Sequence, residues 1–286
     1  MEERNERGET LKEFLARYDE TKYRRPSNTV DMILLTVLKG KLKVLLVKRK
    51  DHPFIHDWAM PGGFVNFDED LDTAMKRELE EETNLFDSTY FRQLYTFGNA
   101  DRDPRTRVIT TVYLSMTPAE NIKMTSAGDD AMDTGWFTIQ KITTTSDGYE
   151  RKSVLMLDEE EKGIHLRYEI NDTACDNYVQ TRSKLLESSN AKLAADHIKA
   201  INMAIDVVRN RAASTGIMFN LLPKECTLRE IQEVYEAIVN HPVDTGNFRR
   251  DIKKMLVATG STTIVNGRKV ATYSFNPLLP FVKETL

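Results

Sequence analysis

Three glutamates, Glu78, Glu81 and Glu82, are the residues of this chain with the clearest potential for chemistry. They are three and four positions apart within a helical pattern, so they share one helix face. Their like charges repel unless a cation lies among them, and carboxylate oxygens are ligands that Mg²⁺ or Mn²⁺ prefers. The alternative interpretation is a solvated acidic helix face, which is what runs of charge usually are.

The residues around these glutamates indicate how the helix is held. A Pro-Gly-Gly turn at positions 61–63 precedes it and separates it from an apolar run. Leu71, Met75 and Leu79 recur every four residues and predict a buried stripe on a neighbouring face. The pattern therefore predicts a helix that packs through one face and presents its carboxylates on another.

The complete spacing resembles the Nudix box of the Nudix hydrolase superfamily. Gly63 is followed after five residues by Glu69, after seven more by Arg77-Glu78-Leu79, and then by Glu81-Glu82. The one departure is Asn84, where the box has glycine. Asn, like glycine, can end a helix in the left-handed conformation, so the loop–helix–loop is expected to be intact.

The resemblance implies a role for each matching position. Glu78, Glu81 and Glu82 are the expected catalytic residues, and together with Gly63 they are the expected ligands of Mg²⁺ or Mn²⁺. Glu69, Arg77 and Asn84 are expected to be structural.

A second group of residues is suited to binding phosphate. Residues 101–105 resemble the Arg-Asp-Pro-Arg loop of the ADP-ribose-related Nudix branch. Arg102 and Arg105 are good phosphate partners, because a planar guanidinium can pair two oxygens at once. Arg49, at the end of a predicted strand, is a third candidate, whereas Lys48 and Lys50 beside it are interpreted as a solvated strand end. The alternative for the loop is a surface turn with solvated arginines.

The composition limits the class of protein. A chain of 286 residues suits two domains of roughly 100–200 residues each. Its net charge of −4 excludes a protein that is basic overall but allows a local basic patch. The charged N-terminus and the lack of a long apolar run predict a cytoplasmic protein with no signal peptide and no membrane partner. Cys175 and Cys226 lack metal-site spacing and are expected to be reduced thiols.

The hydrophobic pattern predicts the elements that position these groups. A short amphipathic helix is expected over Thr10–Tyr18, with Leu11, Phe14 and Leu15 on one side. Strands are expected at 30–38, 44–47, 90–98 and 108–116, with Trp136-Phe137 beginning the last strand of the domain. Residues 153–157 and 164–170 could form a hairpin. A long helix over 191–211 is interpreted as a spacer, and His197 within it as structural.

The C-terminal pattern is different. Thr227 and Glu230 form a capping box before one helix. A second helix begins near Asp244 or Thr245 and is expected to end at Gly260. A hairpin with an Asn-Gly turn at 266–267 follows.

This order of elements is typical of a winged helix-turn-helix. A basic helix fits the major groove, and a hairpin tip can reach the backbone or the minor groove. The candidate DNA-binding residues are Asn247, Arg249, Arg250, Lys253, Lys254, Arg268 and Lys269. The alternative is a small protein-binding winged domain with ordinary surface cations.

The expected fold class is α+β. A Nudix α/β/α sandwich with a mixed sheet is followed by a winged helix-turn-helix. The expected boundaries are an N-terminal arm at 1–27, the Nudix domain at 28–192 with an insertion or extra hairpin at 143–192, a linker helix at 193–222, and the winged domain at 223–286.

Together the two halves resemble the Nudix-related transcriptional regulators of bacterial NAD metabolism. The resemblance implies a repressor that binds double-stranded operator DNA as a homodimer and senses ADP-ribose or a related nucleoside diphosphate compound. Ligand and DNA would weaken each other's binding equally. One alternative is a metal-dependent Nudix hydrolase that cleaves ADP-ribose to AMP and ribose 5-phosphate. Another is such an enzyme with a C-terminal domain that serves dimerisation only.

Overall fold

The computed structural model describes residues 2–83, 90–122 and 131–278. The helices are α1 Leu11–Arg17, α2 Leu71–Thr83, α3 His197–Ala212, α4 Leu228–Val239 and α5 Thr245–Ile252. The strands of the N-terminal part are β1 Ser27–Leu38, β2 Lys41–Arg49, β3 Trp58–Ala59, β4 Gly62–Phe64, β5 Tyr90–Phe97, β6 Val108–Met116, β7 Ala131–Ser146, β8 Glu150–Glu159, β9 Ile164–Cys175 and β10 Tyr178–Leu185. Two more strands, β11 Leu256–Val265 and β12 Arg268–Phe275, form a separate hairpin.

Within the described residues the N-terminal strands form one mixed sheet. Its order is β10-β9-β8-β7-β2-β1-β6-β5, with β3 paired to β2 and β4 to β1. β1 and β6 run parallel, whereas β1 and β2 form an antiparallel hairpin. A mixed sheet with helices, followed by a two-stranded wing, confirms the expected α+β class.

The two faces of β1 bury different clusters, because side chains alternate along a strand. Val30, Met32 and Leu34 pack with Met75 and Leu79 of α2. Ile33 and Leu35 face the larger cluster, which also contains residues of α3 and α4. Truncating a fully buried aromatic of this larger cluster, such as Phe137, would cost about 3–5 kcal/mol.

The sheet continues beyond the strand expected to be its last. β7 begins at Ala131, five residues before Trp136, and three further strands follow it. The expected hairpin is present as β8 and β9, and β10 adds an edge strand. The sequence pattern shows the alternation of β8 and β9 but is weak in β10, which is mostly exposed.

The helix expected over 191–211 begins only at His197. Before it, the chain is extended and pairs with β3, since the Trp58 N–H donates to the Lys192 carbonyl at 3.0 Å and the Ala194 N–H donates to the Trp58 carbonyl at 2.8 Å. The interpretation of this helix as a spacer between the two domains stays a prediction. α3 is an integral part of the core, with Ile201, Ile205 and Val208 fully buried.

The helix expected to reach Gly260 ends early. α5 stops at Ile252, a single 3-10 turn spans Lys253–Met255, and β11 begins at Leu256. Pairing of Leu256 with Phe275 overrides the local helical pattern. Gly260 instead lies inside β11 with φ +78°, at the register shift between Ala258 and Thr262, where its freedom to adopt positive φ permits a bulge.

The first helix carries an apolar stripe that the other described residues leave exposed. α1 has no buried residue, and Leu11, Phe14, Leu15 and Tyr18 are 69%, 37%, 58% and 54% exposed. Among the described residues, no helix is both long and apolar enough to cross a membrane. Cys175 and Cys226 are not joined in a disulfide.

Candidate functional site

The helix that carries the three glutamates is held firmly at its start. The Thr73 N–H donates to Asp70 Oδ1 at 2.8 Å, which caps α2. The Tyr113 hydroxyl on β6 donates to Asp72 Oδ1 at 2.6 Å. Burial, together with this bond to an anion, raises the pKa of Tyr113 to about 12. The first turn of α2 is therefore fixed to the sheet by a neutral phenol.

Arg77 is the centre of the acidic cluster. Its guanidinium bonds both oxygens of Glu69, at 2.7 and 3.1 Å, and donates to the Phe64 carbonyl at 3.0 Å. Its Nη1 contacts Glu78 Oε1 at 2.8 Å and Glu81 Oε2 at 3.1 Å. Arg77 lowers the pKa of Glu69 to about 2, and Glu69 in turn raises the pKa of Arg77. The Arg77 guanidinium thus bonds three carboxylates and the backbone of strand β4.

Position 63 requires glycine because the Glu78 carboxylate lies against its backbone. A Cβ at position 63 would lie 2.1 Å from Glu78 Oε1, so any side chain would displace that carboxylate. Burial raises the pKa of Glu78, although Arg77 opposes this shift. The Glu78 carboxylate therefore contacts the backbone of Gly63, at the position where the Nudix box places metal ligands.

The donor set suits a divalent cation. Carboxylate oxygens and a backbone carbonyl are the ligands of Mg²⁺ or Mn²⁺, and Glu78, Glu81 and Glu82 all line one cleft with Gly63. Among the residues that the structure describes, however, no three carboxylate, imidazole or thiol side chains are close enough to form a metal cage. Glu78 and Glu81 are held by Arg77 instead. Asn84 lies outside the described residues.

We expect the buried charge of Glu78 to cost stability at neutral pH. Because its pKa in the folded protein is raised above 4.5, the stability it contributes is fully present below that value and is lost as the pH rises through the folded pKa. Glu78→Gln should therefore raise the unfolding midpoint of the metal-free protein at pH 7 by about 2–4 °C, and not at pH 4. Thermal unfolding in a chelator measures this.

Glu80→Gln is the matched control, because Glu80 is exposed on the same helix. It should change neither midpoint. A midpoint for Glu78→Gln below that of the wild type at pH 7 would show that pairing with Arg77 outweighs the burial of Glu78.

The cleft beside the acidic helix has a volume of about 830 Å³. It is lined by all three box glutamates and by the three candidate phosphate-binding arginines, Arg49, Arg102 and Arg105. Carboxylates and guanidinium groups thus line one space. This arrangement can hold a diphosphate, with a divalent cation on the acidic side and guanidinium groups on the other.

The three arginines are not equally available. Arg49 Nε donates to the Pro53 carbonyl at 2.8 Å. Arg105 pairs with Asp103 at 2.8 Å and lies over the Phe64 ring, and its side chain is 46% exposed. Arg102 is only 6% exposed and pairs with Asp196 at 3.0 Å, with Asp31 Oδ2 also 3.8 Å away. A ligand would compete with a carboxylate for either Arg105 or Arg102, but the Arg105 side chain is far more exposed.

Asp31, Asp103 and Asp196 were not identified from the sequence. They come from β1, from the loop before β6 and from the residue before α3, and no local spacing joins them. His197 was expected to be structural. Its Nδ1 accepts a hydrogen bond from the Met60 N–H at 2.9 Å, and burial lowers its pKa, so the ring is neutral.

The C-terminal elements form a compact helical pair. Thr227 and Glu230 make the reciprocal capping box of α4, and Asn240 ends that helix in the left-handed conformation. Asp244 caps α5 through the Asn247 N–H at 2.8 Å. Phe248 and Ile252 face inward, and the Phe248 ring lies 5.2 Å from that of Tyr235 on α4. The outer face of α5 is thus positioned by α4.

All seven candidate DNA-binding residues are exposed. They are Asn247, Arg249, Arg250, Lys253, Lys254, Arg268 and Lys269. The first three lie on α5 and the next two in the turn after it, whereas Arg268 and Lys269 follow the Asn266-Gly267 turn of the wing. Asp251, which lies 3.3 Å from Arg250, is the anion among them. The surface is a basic patch on an acidic chain, as a DNA contact requires.

Comparison with known proteins matches this description. The NUDIX domain model matches residues 26–157, and the NrtR DNA-binding winged helix domain model matches residues 218–275. The chain is 28% identical to the ADPR responsive transcriptional repressor NtrR of Acinetobacter baylyi over 266 residues. This alignment covers 92% of this chain and 87% of that protein.

One further relative matches half of this chain, and one solved structure matches most of it. The ADP-ribose pyrophosphatase of Methanocaldococcus jannaschii is 34% identical over 143 residues, or 49% of this chain and 80% of that protein. The crystal structure of Shewanella oneidensis NrtR complexed with a 27mer DNA aligns with a TM-score of 0.58 and 26% identity, over 87% of this chain and 93% of that one. The chain therefore belongs to the Nudix family, and its Nudix domain is followed by a winged helix domain of the NrtR type.

Proposed function

We propose that this chain is a bacterial transcriptional repressor that binds operator DNA and releases it when ADP-ribose, or a related nucleoside diphosphate compound, enters the cleft. The observation that carries the proposal is that one chain has a cleft of about 830 Å³ lined by glutamates and arginines and also an exposed basic winged helix. The name of the Acinetobacter relative supports the choice of ADP-ribose. The protein would act in the cytoplasm.

The ligand would be held through its diphosphate. Arg49, Arg102 and Arg105 would pair its oxygens, because guanidinium groups bind phosphate in bidentate fashion. The Nudix family in general uses divalent metal ions, and here Mg²⁺ or Mn²⁺ would be held by Gly63, Glu78, Glu81 and Glu82. Such an ion supplies neutralisation of the diphosphate charge.

The DNA would be held by the outer face of α5 and by the wing. Asn247, Arg249 and Arg250 lie on the helix that would enter the major groove, and Lys253 and Lys254 follow it toward the backbone. The two cations after the wing turn, Arg268 and Lys269, would reach phosphates or the minor groove.

The direct experiment is a titration of operator DNA from the protein's own or a neighbouring operon, at one stated salt concentration. Specific binding that ADP-ribose with Mg²⁺ weakens at least tenfold is the expected result. Absence of specific binding at low salt would overturn the repressor function and leave the winged domain a structural role.

We also propose that the protein acts as a homodimer, with α1 of each copy at the interface. Leu11, Phe14, Leu15 and Tyr18 follow the i, i+3, i+4, i+7 spacing of a helix-packing stripe, yet all are exposed. A second copy of this chain is the fitting occupant, because a repressor with two-fold half-sites needs two winged domains. The 27mer bound by the Shewanella relative has room for two half-sites.

Phe14→Ser with Leu15→Ser should therefore convert the dimer to a monomer and weaken operator binding by about tenfold or more. Light scattering coupled to size exclusion measures the mass, and Lys12→Ser on the other side of α1 is the control. A variant that stays dimeric would place the interface elsewhere.

A second candidate function is hydrolysis of ADP-ribose. The observation that favours it is that Gly63 leaves space for the Glu78 carboxylate and that all three box glutamates face the cleft. One of these carboxylates would take a proton from the attacking water. Metal-dependent formation of AMP that Glu82→Gln abolishes would establish this activity, and equal rates for that variant and the wild type would exclude it.

A further inference from the structure

Helix α3 connects the ligand cleft to the winged helix. At its N-terminal end, Ala194, Ala195 and His197 line the cleft. At its C-terminal end, Arg209 donates from Nε to the Ile238 carbonyl of α4 at 2.9 Å and from Nη1 to the Lys141 carbonyl of β7 at 3.2 Å. A movement of α3 at the cleft would therefore reach α4 through a direct hydrogen bond.

The C-terminal end is also tied to the sheet. Lys141 Nζ contacts both oxygens of Asp206 on α3, at 2.6 and 2.8 Å, and the Lys141 side chain is only 5% exposed. α4 in turn positions α5 through the Tyr235–Phe248 ring contact. Direct side-chain contacts thus connect α3 to α4, and α4 to the helix of the DNA-binding face.

The N-terminal end of α3 carries an ion pair in addition to its backbone bonds to Trp58 and the bond from Met60 to His197. Asp196, the residue before the helix, pairs with Arg102 through two bonds, Nη2–Oδ1 at 3.0 Å and Nε–Oδ2 at 3.4 Å. Asp at this position usually caps its own helix. Here the Asp196 side chain makes no capping hydrogen bond, so its carboxylate is directed to the arginine and away from α3.

The backbone beside this pair is strained. Ala195 has φ +43°, in the left-handed region that residues with a Cβ seldom adopt. A second arrangement of this segment would relieve the strain. In the observed arrangement, Asp196 binds Arg102; in the second, Asp196 caps α3 and residue 195 can relax.

We propose that the Arg102–Asp196 pair is the contact through which a bound diphosphate changes DNA affinity. This rests on the function proposed above. A diphosphate that binds Arg102 takes the guanidinium from Asp196 and places negative charge next to its carboxylate. Asp196 then turns to the N-terminus of α3, and the helix shifts against α4. Ligand binding and DNA binding favour different arrangements of the same residue, which is what coupling requires.

The test uses the full chain with Asp196→Asn. Asn caps a helix as well as Asp does but cannot form the ion pair, so this variant should adopt the ligand-bound arrangement without ligand. We expect operator affinity without ligand to fall at least fivefold, and affinity for ADP-ribose, measured by calorimetry without DNA, to rise severalfold. The ratio of operator Kd with and without ADP-ribose should fall toward one. Asp196→Glu, which can still pair with Arg102, should retain part of that ratio.

Asp103→Asn is the matched control, because it removes the carboxylate partner of Arg105 without touching α3. It should change affinity for ADP-ribose but keep the wild-type ratio. An Asp196→Asn protein that is folded and keeps the full wild-type ratio would overturn the inference. A wild-type protein that ADP-ribose does not release from the operator would instead overturn the proposed function itself, so the two failures are distinguishable.

Discussion

Replacing Arg249 and Arg250 together by alanine is expected to lower operator affinity by about 100-fold, because each arginine contact is worth about 1–3 kcal/mol and 1.4 kcal/mol is tenfold. Both side chains are exposed on α5, whereas Phe248 beside them is buried and keeps the helix in place. The change therefore removes charge from the outer face and leaves the packing of α5 on α4. Affinity should be measured over a range of salt concentrations, since the slope of log K against log salt should fall by about 2 if both residues contact phosphates.

The matched control removes the same charge from an exposed edge strand of the large sheet, outside α5 and the wing. Arg182 and Lys184 are exposed on β10, the edge strand at the far end of the sheet. Arg182→Ala with Lys184→Ala changes net charge equally and should leave the salt slope unchanged. Equal losses for both double variants would mean that overall charge, not the winged helix, governs DNA affinity. Unchanged affinity for Arg249→Ala with Arg250→Ala would support the protein-binding interpretation of the winged domain.

The box helix and the wing could be predicted from the sequence because local chemistry determines them. Leu79 packs where the four-residue periodicity predicts, and the Asn266-Gly267 turn joins β11 to β12. In both cases the residues that define the feature are within one turn or one helix of each other. The family and its two parts follow from such local patterns.

The end of α5 could not be predicted locally. Met255 and Leu256 continue the apolar spacing of the helix, but Leu256 pairs with Phe275, nineteen positions away, and begins a strand. α3 shows the same limitation at its start. Its pattern extends back to 191, yet Ala194 is drawn into an extended segment by backbone bonds to Trp58. Tertiary pairing decides both boundaries, and it leaves no local signal.

The cleft shows the same division between local and long-range information. Arg102 was identified from its loop, but its state depends on Asp196, which is ninety-four positions away. The sequence therefore predicted a phosphate-binding arginine, and the structure adds that this arginine is already paired. This difference matters for function. A ligand that binds Arg102 must break its pair with Asp196, and the change is then felt by α3, which Asp196 precedes.

Replacing Gly63 by alanine is expected to lower metal-dependent activity in the cleft by about 100-fold while the fold is kept. The new Cβ would lie 2.1 Å from Glu78 Oε1, so the carboxylate must move by more than 1 Å, and a shift of that size costs about 100-fold in activity. The backbone at position 63 does not need positive φ, so the effect acts through Glu78 alone. This differs from Gly62, where φ is +152° and a Cβ would meet the Val30 carbonyl at 2.2 Å.

The measurement has two parts. Mn²⁺ binding, followed by electron paramagnetic resonance, should weaken at least tenfold in Gly63→Ala, and any AMP release from ADP-ribose should fall by about 100-fold. Gly98→Ala is the control, since a Cβ there meets its nearest neighbours at an ordinary 3.9 Å. Wild-type metal binding in Gly63→Ala would mean that Glu78 is not a ligand. If metal binding is lost while ADP-ribose still releases the operator, the cleft senses its ligand through the arginines, and the box glutamates serve hydrolysis alone.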